Sequence, residues 1–137
     1  SWVGWHEGVS DLIPTFPESQ IAPWQRTTAA RAWFEGDYPF AIDGKALKSP
    51  KRKGGYRLPT VRYGHQPFWT VLANDDKIAV RCQLGSRDLR KMTAQSFARI
   101  QSFPDSYQLP KTVKLAINVI GNAVPPLMMQ RILEAIP

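Results

Sequence analysis

The sequence predicts a small α+β domain in which a short β-sheet with basic loops precedes a group of helices. Residues 56–84 contain β-branched and aromatic runs separated by turn-forming residues, a pattern typical of a small twisted sheet. After Thr93 the apolar residues recur at helical spacing. With 137 residues, 43% of them hydrophobic, the chain suits one domain with a modest core.

The first half of the chain is predicted to be mostly irregular. Residues 1–25 read as a connecting segment with one short helical stretch around residues 8–13. A second short helix is expected over residues 26–36, closed by Gly36. Residues 37–57 are rich in Gly, Pro and Lys and predict a loop.

Three strands are expected next, over residues 56–64, 67–74 and 77–84. The Asn-Asp-Asp-Lys sequence between the last two is a candidate hairpin turn.

The helices that follow have recognisable ends. Thr93 is a good N-cap, and Pro104 limits the first helix to about Ser102. The next helix covers residues 111–120, with Gly121 and Asn122 ending it. Its apolar positions are Val113, Ala116, Ile117 and Ile120. The pair Pro125–Pro126 suits the first turn of a last helix.

Positive charge is concentrated in one segment. Residues 44–74 contain no acidic residue, so their net charge of +7 equals that of the whole chain. Their basic residues are Lys45, Lys48, Lys51, Arg52, Lys53, Arg57 and Arg62. A basic block in a loop-rich segment indicates contact with a polyanion, most commonly nucleic acid, although a solvated basic loop is the plainer alternative.

Composition excludes several classes of protein. A single cysteine, Cys82, allows no internal disulfide and fits a cytoplasmic protein. His6 and His65 are far apart, so no metal site is expected. No apolar run is long enough for a membrane span, and no signal-peptide pattern is present at the start.

Two stretches near the C-terminus resemble motifs of one enzyme family. Residues 90–107, "RKMTAQSFARIQSFPDSY", resemble the ninth motif of DNA (cytosine-5) methyltransferases, and residues 120–133, "IGNAVPPLMMQRIL", resemble the tenth. The matching positions of the ninth motif are Arg90, Thr93, Arg99, Gln101, Phe103, Pro104 and Asp105. Ser96 stands where the family commonly has Glu, which weakens the predicted capping box.

The resemblance assigns roles to three parts of the chain. Residues 1–25 correspond to a connecting segment after the catalytic core, residues 26–89 to the target-recognition region, and residues 90–137 to the helical segment with motifs nine and ten. The ninth motif implies a scaffold for the recognition region. In the tenth, Asn122, Ala123 and Val124 are expected to close one side of the S-adenosylmethionine pocket, and Gly121 to let the chain leave its helix.

The recognition region implies contact with double-stranded DNA. Phosphate contacts are expected from the six basic residues between Lys45 and Arg57. Arg62, His65, Gln66 and Thr70 are candidates to read bases. The family's pair of Thr followed by an aliphatic residue is either Thr60–Val61 or Thr70–Val71, and we favour the second.

The resemblance also implies that the catalytic groups lie elsewhere. The family attacks C6 of a flipped cytosine with the cysteine of a Pro-Cys loop and uses a glutamate from Glu-Asn-Val, neither of which occurs here. The Phe-x-Gly-x-Gly cofactor loop is also missing, and Cys82 is expected to be a small apolar residue of the fold. The chain is therefore expected to be inactive alone, with the remaining α/β catalytic part in the same bacterial polypeptide or in a separate subunit.

Two alternatives remain. A stand-alone basic DNA-binding module would have the same basic segment without an enzymatic partner. A purely structural interaction domain would leave the basic segment unexplained.

Overall fold

The computed structural model describes residues 3–43, 60–72 and 77–137, and it confirms an α+β fold. The α-helices are α1 (Trp5–Gly8), α2 (Pro23–Glu35), α3 (Ala94–Ile100), α4 (Val113–Asn122) and α5 (Pro126–Ala135), with a 3₁₀-helix at Ser10–Thr15. The strands are β1 (Phe40–Ile42), β2 (Val61–Tyr63), β3 (Ala79–Arg81) and β4 (Arg90–Lys91). They form one antiparallel sheet in the order β2-β1-β3-β4.

The two central strands are buried on both faces of the sheet. Every residue of β1 and β3 is buried, and alternate side chains belong to different hydrophobic cores. On one face Phe40 and Ile42 pack with Ala29 and Ala32 of α2. On the other face, Ala41 and Val80 belong to a larger core that also holds side chains from α1, α3 and α4. The sheet is thus sandwiched between α2 on one face and α1, α3 and α4 on the other.

The loop predicted over residues 37–57 is wrong at residues 40–42, which form β1. This strand is only three residues long and has no alternation of apolar and polar residues, because both of its faces are covered. Residues 44–59 lie outside the described part of the chain, and so do residues 74–76 of the candidate hairpin turn at residues 74–77.

The strand predicted over residues 67–74 is also wrong for its described part, since residues 67–72 pair with no strand. Their aromatic side chains pack on helices instead. The Phe68 ring lies edge-on to Trp5 and to Phe97, with centroids 6.3 and 6.1 Å apart. Of the other two predicted strands, residues 61–63 and 79–81 are β2 and β3.

The helix predictions hold better, with shifted ends. The stretch predicted around residues 8–13 is the short α1 followed by the 3₁₀-helix, which contains Pro14. Helix α2 begins at Pro23, where the Gln25 side chain accepts a hydrogen bond from the Ala22 N–H at 2.9 Å. In the part of the chain that the model describes, no helix is long and apolar enough to cross a membrane.

Candidate functional site

The start of α3 is fixed by a reciprocal pair of hydrogen bonds. The Thr93 hydroxyl accepts from the Ser96 N–H at 3.3 Å, as the N-cap prediction requires. The Ser96 hydroxyl donates back to the Thr93 carbonyl at 2.6 Å. Ser96 is fully buried, and because its hydroxyl donates to a carbonyl, it does not reproduce the Glu of a capping box, which accepts from the N-cap N–H.

Arg99, on α3, joins three segments. Its guanidinium donates to both carboxylate oxygens of Asp105, from Nε at 3.2 Å and from Nη2 at 2.8 Å. It also forms an ion pair with Asp11 of the 3₁₀-helix. The hydrogen bond from Arg99 holds the pKa of the Asp11 carboxyl below its usual value, and Asp105 and Asp11 raise the pKa of Arg99. The charged cluster therefore fastens the turn after α3 to the connecting segment.

The end of α3 is a Schellman motif with a serine at the left-handed position. The Ser102 N–H donates to the Arg99 carbonyl at 3.0 Å, and the Phe103 N–H donates to the Ala98 carbonyl at 2.9 Å. Ser102 has φ of 66°, which is usually left to glycine because a Cβ costs about 1 kcal/mol there. The buried Phe103 then packs in the larger core with Ala98.

Two consecutive residues at this turn contact the tenth-motif segment. Gln101 is buried and its Nε2 donates to the Ala123 carbonyl at 3.3 Å. The Ser102 hydroxyl accepts from the Leu127 N–H at 3.0 Å, in the first turn of α5. The structure thus brings the ninth and tenth motifs into direct contact.

The other two ninth-motif residues are structural in different ways. Arg90 lies in β4 and its Nη1 donates to the Phe16 carbonyl at 3.1 Å. Pro104 is exposed, and its carbonyl accepts from the Tyr107 N–H at 2.9 Å, which closes the turn that follows.

The segment from Asn122 to Pro125, here called the hinge, presents alternate residues to opposite sides. Ala123 has extended backbone angles, with φ of −86° and ψ of 149°. Asn122 and Val124 are exposed, whereas Ala123 packs against the larger core. The Asn122 amide also donates to Asn118 at 3.3 Å. Gly121 does not release the chain as expected, because α4 continues through Asn122.

A groove of about 710 Å³ runs between the hinge, the end of α3 and the aromatic segment 67–72. Its lining includes Gln101, Ala123, Trp69 and the exposed Thr70. Thr70 is followed by the fully buried Val71, so this Thr–Val pair has one member in the core and one at the surface.

The predicted DNA contacts are only partly within the described residues. Lys45, Lys48, Lys51, Arg52, Lys53 and Arg57 lie outside them, in the sequence between β1 and β2. Arg62, in β2, is half-buried, and its guanidinium carbon lies 5.8 Å from the centroid of the Trp69 ring. Arg62 is therefore next to the residue that precedes Thr70. His65 stacks on Tyr63, with ring centroids 6.4 Å apart, and Gln66 accepts from the Tyr63 N–H at 2.8 Å.

Cys82 has the environment expected of a core residue. It is buried in the larger core, and burial raises the pKa of its thiol to about 12. A nucleophilic cysteine needs a lowered pKa, because the thiolate is the reactive form. Cys82 therefore lacks the chemistry of a catalytic thiol.

The last helix, α5, is exposed, and none of its side chains is buried. Its large apolar residues are 40–62% exposed over residues 127–136. These residues, here called the α5 surface, are Leu127, Met128, Met129, Ile132, Leu133 and Ile136. Val124 of the hinge, 50% exposed, lines a depression with Met129 and Leu133. So much exposed apolar area on one helix is typical of a surface that another protein segment covers.

Comparison with known protein families shows which family this chain belongs to. A family model described as C-5 cytosine-specific DNA methylase matches residues 20–137, which is well over half of the chain. The chain belongs to the C-5 cytosine-specific DNA methylase family. The match includes α2, the sheet and both motif segments of this methylase chain, whereas Asp11 and α1 precede it.

Two curated relatives align with a short part of the methylase chain. The type II methyltransferase M.AplI of Arthrospira platensis is 43% identical over 47 residues, 34% of this chain and 14% of the relative. The putative type II methyltransferase M.OihORF3336P of Oceanobacillus iheyensis is 42% identical over 52 residues, 38% of this chain and 11% of the relative. The aligned residues thus span well under a fifth of either relative. No solved structure matches the chain.

The family generally uses S-adenosylmethionine. Asn122 offers an exposed amide and Val124 an exposed apolar side chain on the same side of the hinge. Ala123 lies on the opposite side of the hinge, and its carbonyl accepts a hydrogen bond from the Gln101 side chain.

Two contacts at the candidate site were not predicted from the sequence. Asp11 is 88 positions from its partner Arg99, and no local pattern relates the two. Ser102 occupies the position after a helix C-cap, where glycine would have indicated the turn and serine did not.

Proposed function

We propose that this chain forms the DNA-recognition and cofactor-closing part of a DNA methyltransferase that modifies C5 of cytosine. The methyl group comes from S-adenosylmethionine when that cofactor is bound. The nucleophilic cysteine and the glutamate belong to a catalytic part outside these 137 residues. The exposed α5 surface beside the hinge carries the proposal, since it is an apolar face that needs a partner.

In this proposal the hinge and the α5 surface cover one edge of the catalytic part. Asn122 and Val124 face the cofactor, and Ala123 is held from behind by Gln101. The α5 surface packs against the catalytic part, where its apolar side chains leave water. This chain's own role toward the cofactor is to bind, orient and exclude water.

The sheet and its basic segment form the proposed DNA-binding side. The basic residues between Lys45 and Arg57 hold phosphates, and Thr70 and Arg62 lie near the groove from which bases are read. The buried Cys82 supports a nucleophile elsewhere, because its pKa is raised rather than lowered.

Association with the catalytic part tests the proposal. The DNA adjoining the coding region is read for Pro-Cys and Glu-Asn-Val motifs, and the polypeptide that contains them is produced and mixed with this chain. We expect a stable complex. Leu133→Ala, which truncates a side chain that is 60% exposed, should weaken it by about tenfold through lost burial.

Arg131→Ala is the matched control, because Arg131 lies on the same helix and is also exposed. It should bind like the unsubstituted chain. If the two polypeptides fail to associate while both are folded, the proposal is wrong. If they do not associate and this chain still binds DNA with salt-dependent affinity, the stand-alone DNA-binding module is supported instead.

A further inference from the structure

Ser102 occupies a backbone conformation that suits it poorly. Its φ of 66° places it at the left-handed position of the Schellman motif, and among the described residues it is the one non-glycine residue with positive φ. Strained residues persist where the surrounding structure requires them, and they are often found at functional sites.

The Ser102 hydroxyl reaches a helix that is otherwise weakly attached. Helix α5 follows Pro125 and starts with Pro126, neither of which has an N–H, so Leu127 carries its first free donor. The Ser102 hydroxyl accepts from that donor at 3.0 Å. Within the described residues, no other hydrogen bond joins α5 to a residue that precedes the hinge.

The adjacent residue holds the other end of the same segment. Gln101 donates to the Ala123 carbonyl before the hinge turns, and Ser102 binds Leu127 after it. The hinge is therefore fixed on both sides by the C-terminal end of α3. That end is itself fastened to the sheet side of the molecule through the core residue Phe103.

We propose that Ser102 is a positioning residue for methyl transfer, acting through α5 and the hinge. It keeps Asn122 and Val124 in the arrangement that closes the cofactor pocket and sets the direction in which the α5 surface meets the catalytic part. This inference rests on the proposed function. The ligand whose binding Ser102 affects is S-adenosylmethionine, and Ser102 acts on it only through α5 and the hinge.

Three substitutions separate the hydroxyl from the backbone strain. Ser102→Ala removes the acceptor and keeps the strained Cβ. Ser102→Gly removes the acceptor and also the strain. Ser102→Asn tolerates the left-handed conformation and restores a side-chain acceptor. Ser106→Ala, in the exposed turn that follows, is the matched control.

Hydrogen exchange on the chain gives the first readout. Loss of the capping acceptor should speed amide exchange at Leu127 by roughly fivefold in both Ser102→Ala and Ser102→Gly. Exchange in the sheet and in α4 should stay unchanged. Ser102→Asn should restore slow exchange, and Ser106→Ala should have no effect.

Steady-state kinetics with the catalytic part present give the second readout. Ser102→Ala and Ser102→Gly should raise the KM for S-adenosylmethionine by up to about fivefold, since the closed hinge is less populated. The kcat and the KM for DNA should not change. Ser102→Asn should restore the KM.

Two results would overturn the proposal. One is unchanged exchange at Leu127 in all three variants. The other is a defect in Ser102→Ala that Ser102→Gly repairs, which would show that strain and not the hydroxyl matters. If the unsubstituted chain gives no methyl transfer with the catalytic part present, the proposed function fails, and the exchange rates alone decide whether Ser102 positions α5.

Discussion

Replacing Ser96 by Glu is expected to destabilise the chain, although Glu would complete a capping box with Thr93. The side chain of Ser96 is fully buried, and its hydroxyl donates to the Thr93 carbonyl at 2.6 Å. A glutamate there would lose this hydrogen bond and force a longer, charged side chain into a filled space. Reasoning from the capping box alone predicts the opposite sign.

The magnitude follows from four contributions. Loss of the hydrogen bond costs about 1 kcal/mol, and overpacking of the core costs about 1–3 kcal/mol. A restored capping interaction returns about 0.5–1 kcal/mol. Burial of the carboxylate adds a further cost. The free energy of unfolding should therefore fall by roughly 2–4 kcal/mol, a large part of the 5–15 kcal/mol typical of a domain.

Urea denaturation followed by tryptophan fluorescence measures this change. Ser96→Ala is the control, because it removes only the hydroxyl and should cost about 1 kcal/mol. Both variants should keep the slope of the unfolding transition. If Ser96→Glu unfolds at the same urea concentration as the unsubstituted chain or higher, the buried-serine interpretation is wrong.

Three further outcomes are expected. Cys82 should resist iodoacetamide at pH 8 in the folded chain and react once the chain is denatured, because burial raises its pKa to about 12; rapid alkylation of the native chain would contradict its burial. Hydrogen bonds from the Gly85 N–H, which has the larger effect, and from Arg81 lower the pKa of Asp37 below 3.8. The ionised form of Asp37 therefore stabilises the fold above pH 3.8, and this stabilisation is lost as the pH falls further. Asp37→Asn should therefore flatten the loss of stability below pH 4 in acid titration, and an unchanged titration would refute this role. Replacing the three basic residues at positions 51–53 by neutral ones should reduce the slope of the logarithm of the DNA-binding constant against the logarithm of the salt concentration by about 2.7, because each phosphate contact contributes about 0.9. An unchanged slope would place the phosphate contacts elsewhere.

Local chemistry explains which features were predictable from the sequence. The Thr93 cap joins residues that are close in the chain, so their side-chain types were enough. Strand β1 was missed because double burial removes the alternation by which short strands are identified. Residues 67–72 have the composition of a strand, but they use it to pack on α1 and α3.

The candidate site was predictable only in its parts. The sequence indicated the ninth-motif helix and the hinge separately, and their contact through Gln101 and Ser102 depends on tertiary structure. A serine at a left-handed position gives no sequence signal, since glycine or asparagine is the usual indicator. Asp11 likewise reaches Arg99 only because the 3₁₀-helix packs beside α3.

Methyl transfer itself tests the central claim most directly. This chain is mixed with the polypeptide that contains the Pro-Cys and Glu-Asn-Val motifs, labelled S-adenosylmethionine and duplex DNA, and the digested DNA is assayed for 5-methylcytosine. We expect 5-methylcytosine only when both polypeptides are present, and none from either alone. If the catalytic polypeptide alone forms 5-methylcytosine as fast as the mixture does, the claim that this chain completes the enzyme is wrong.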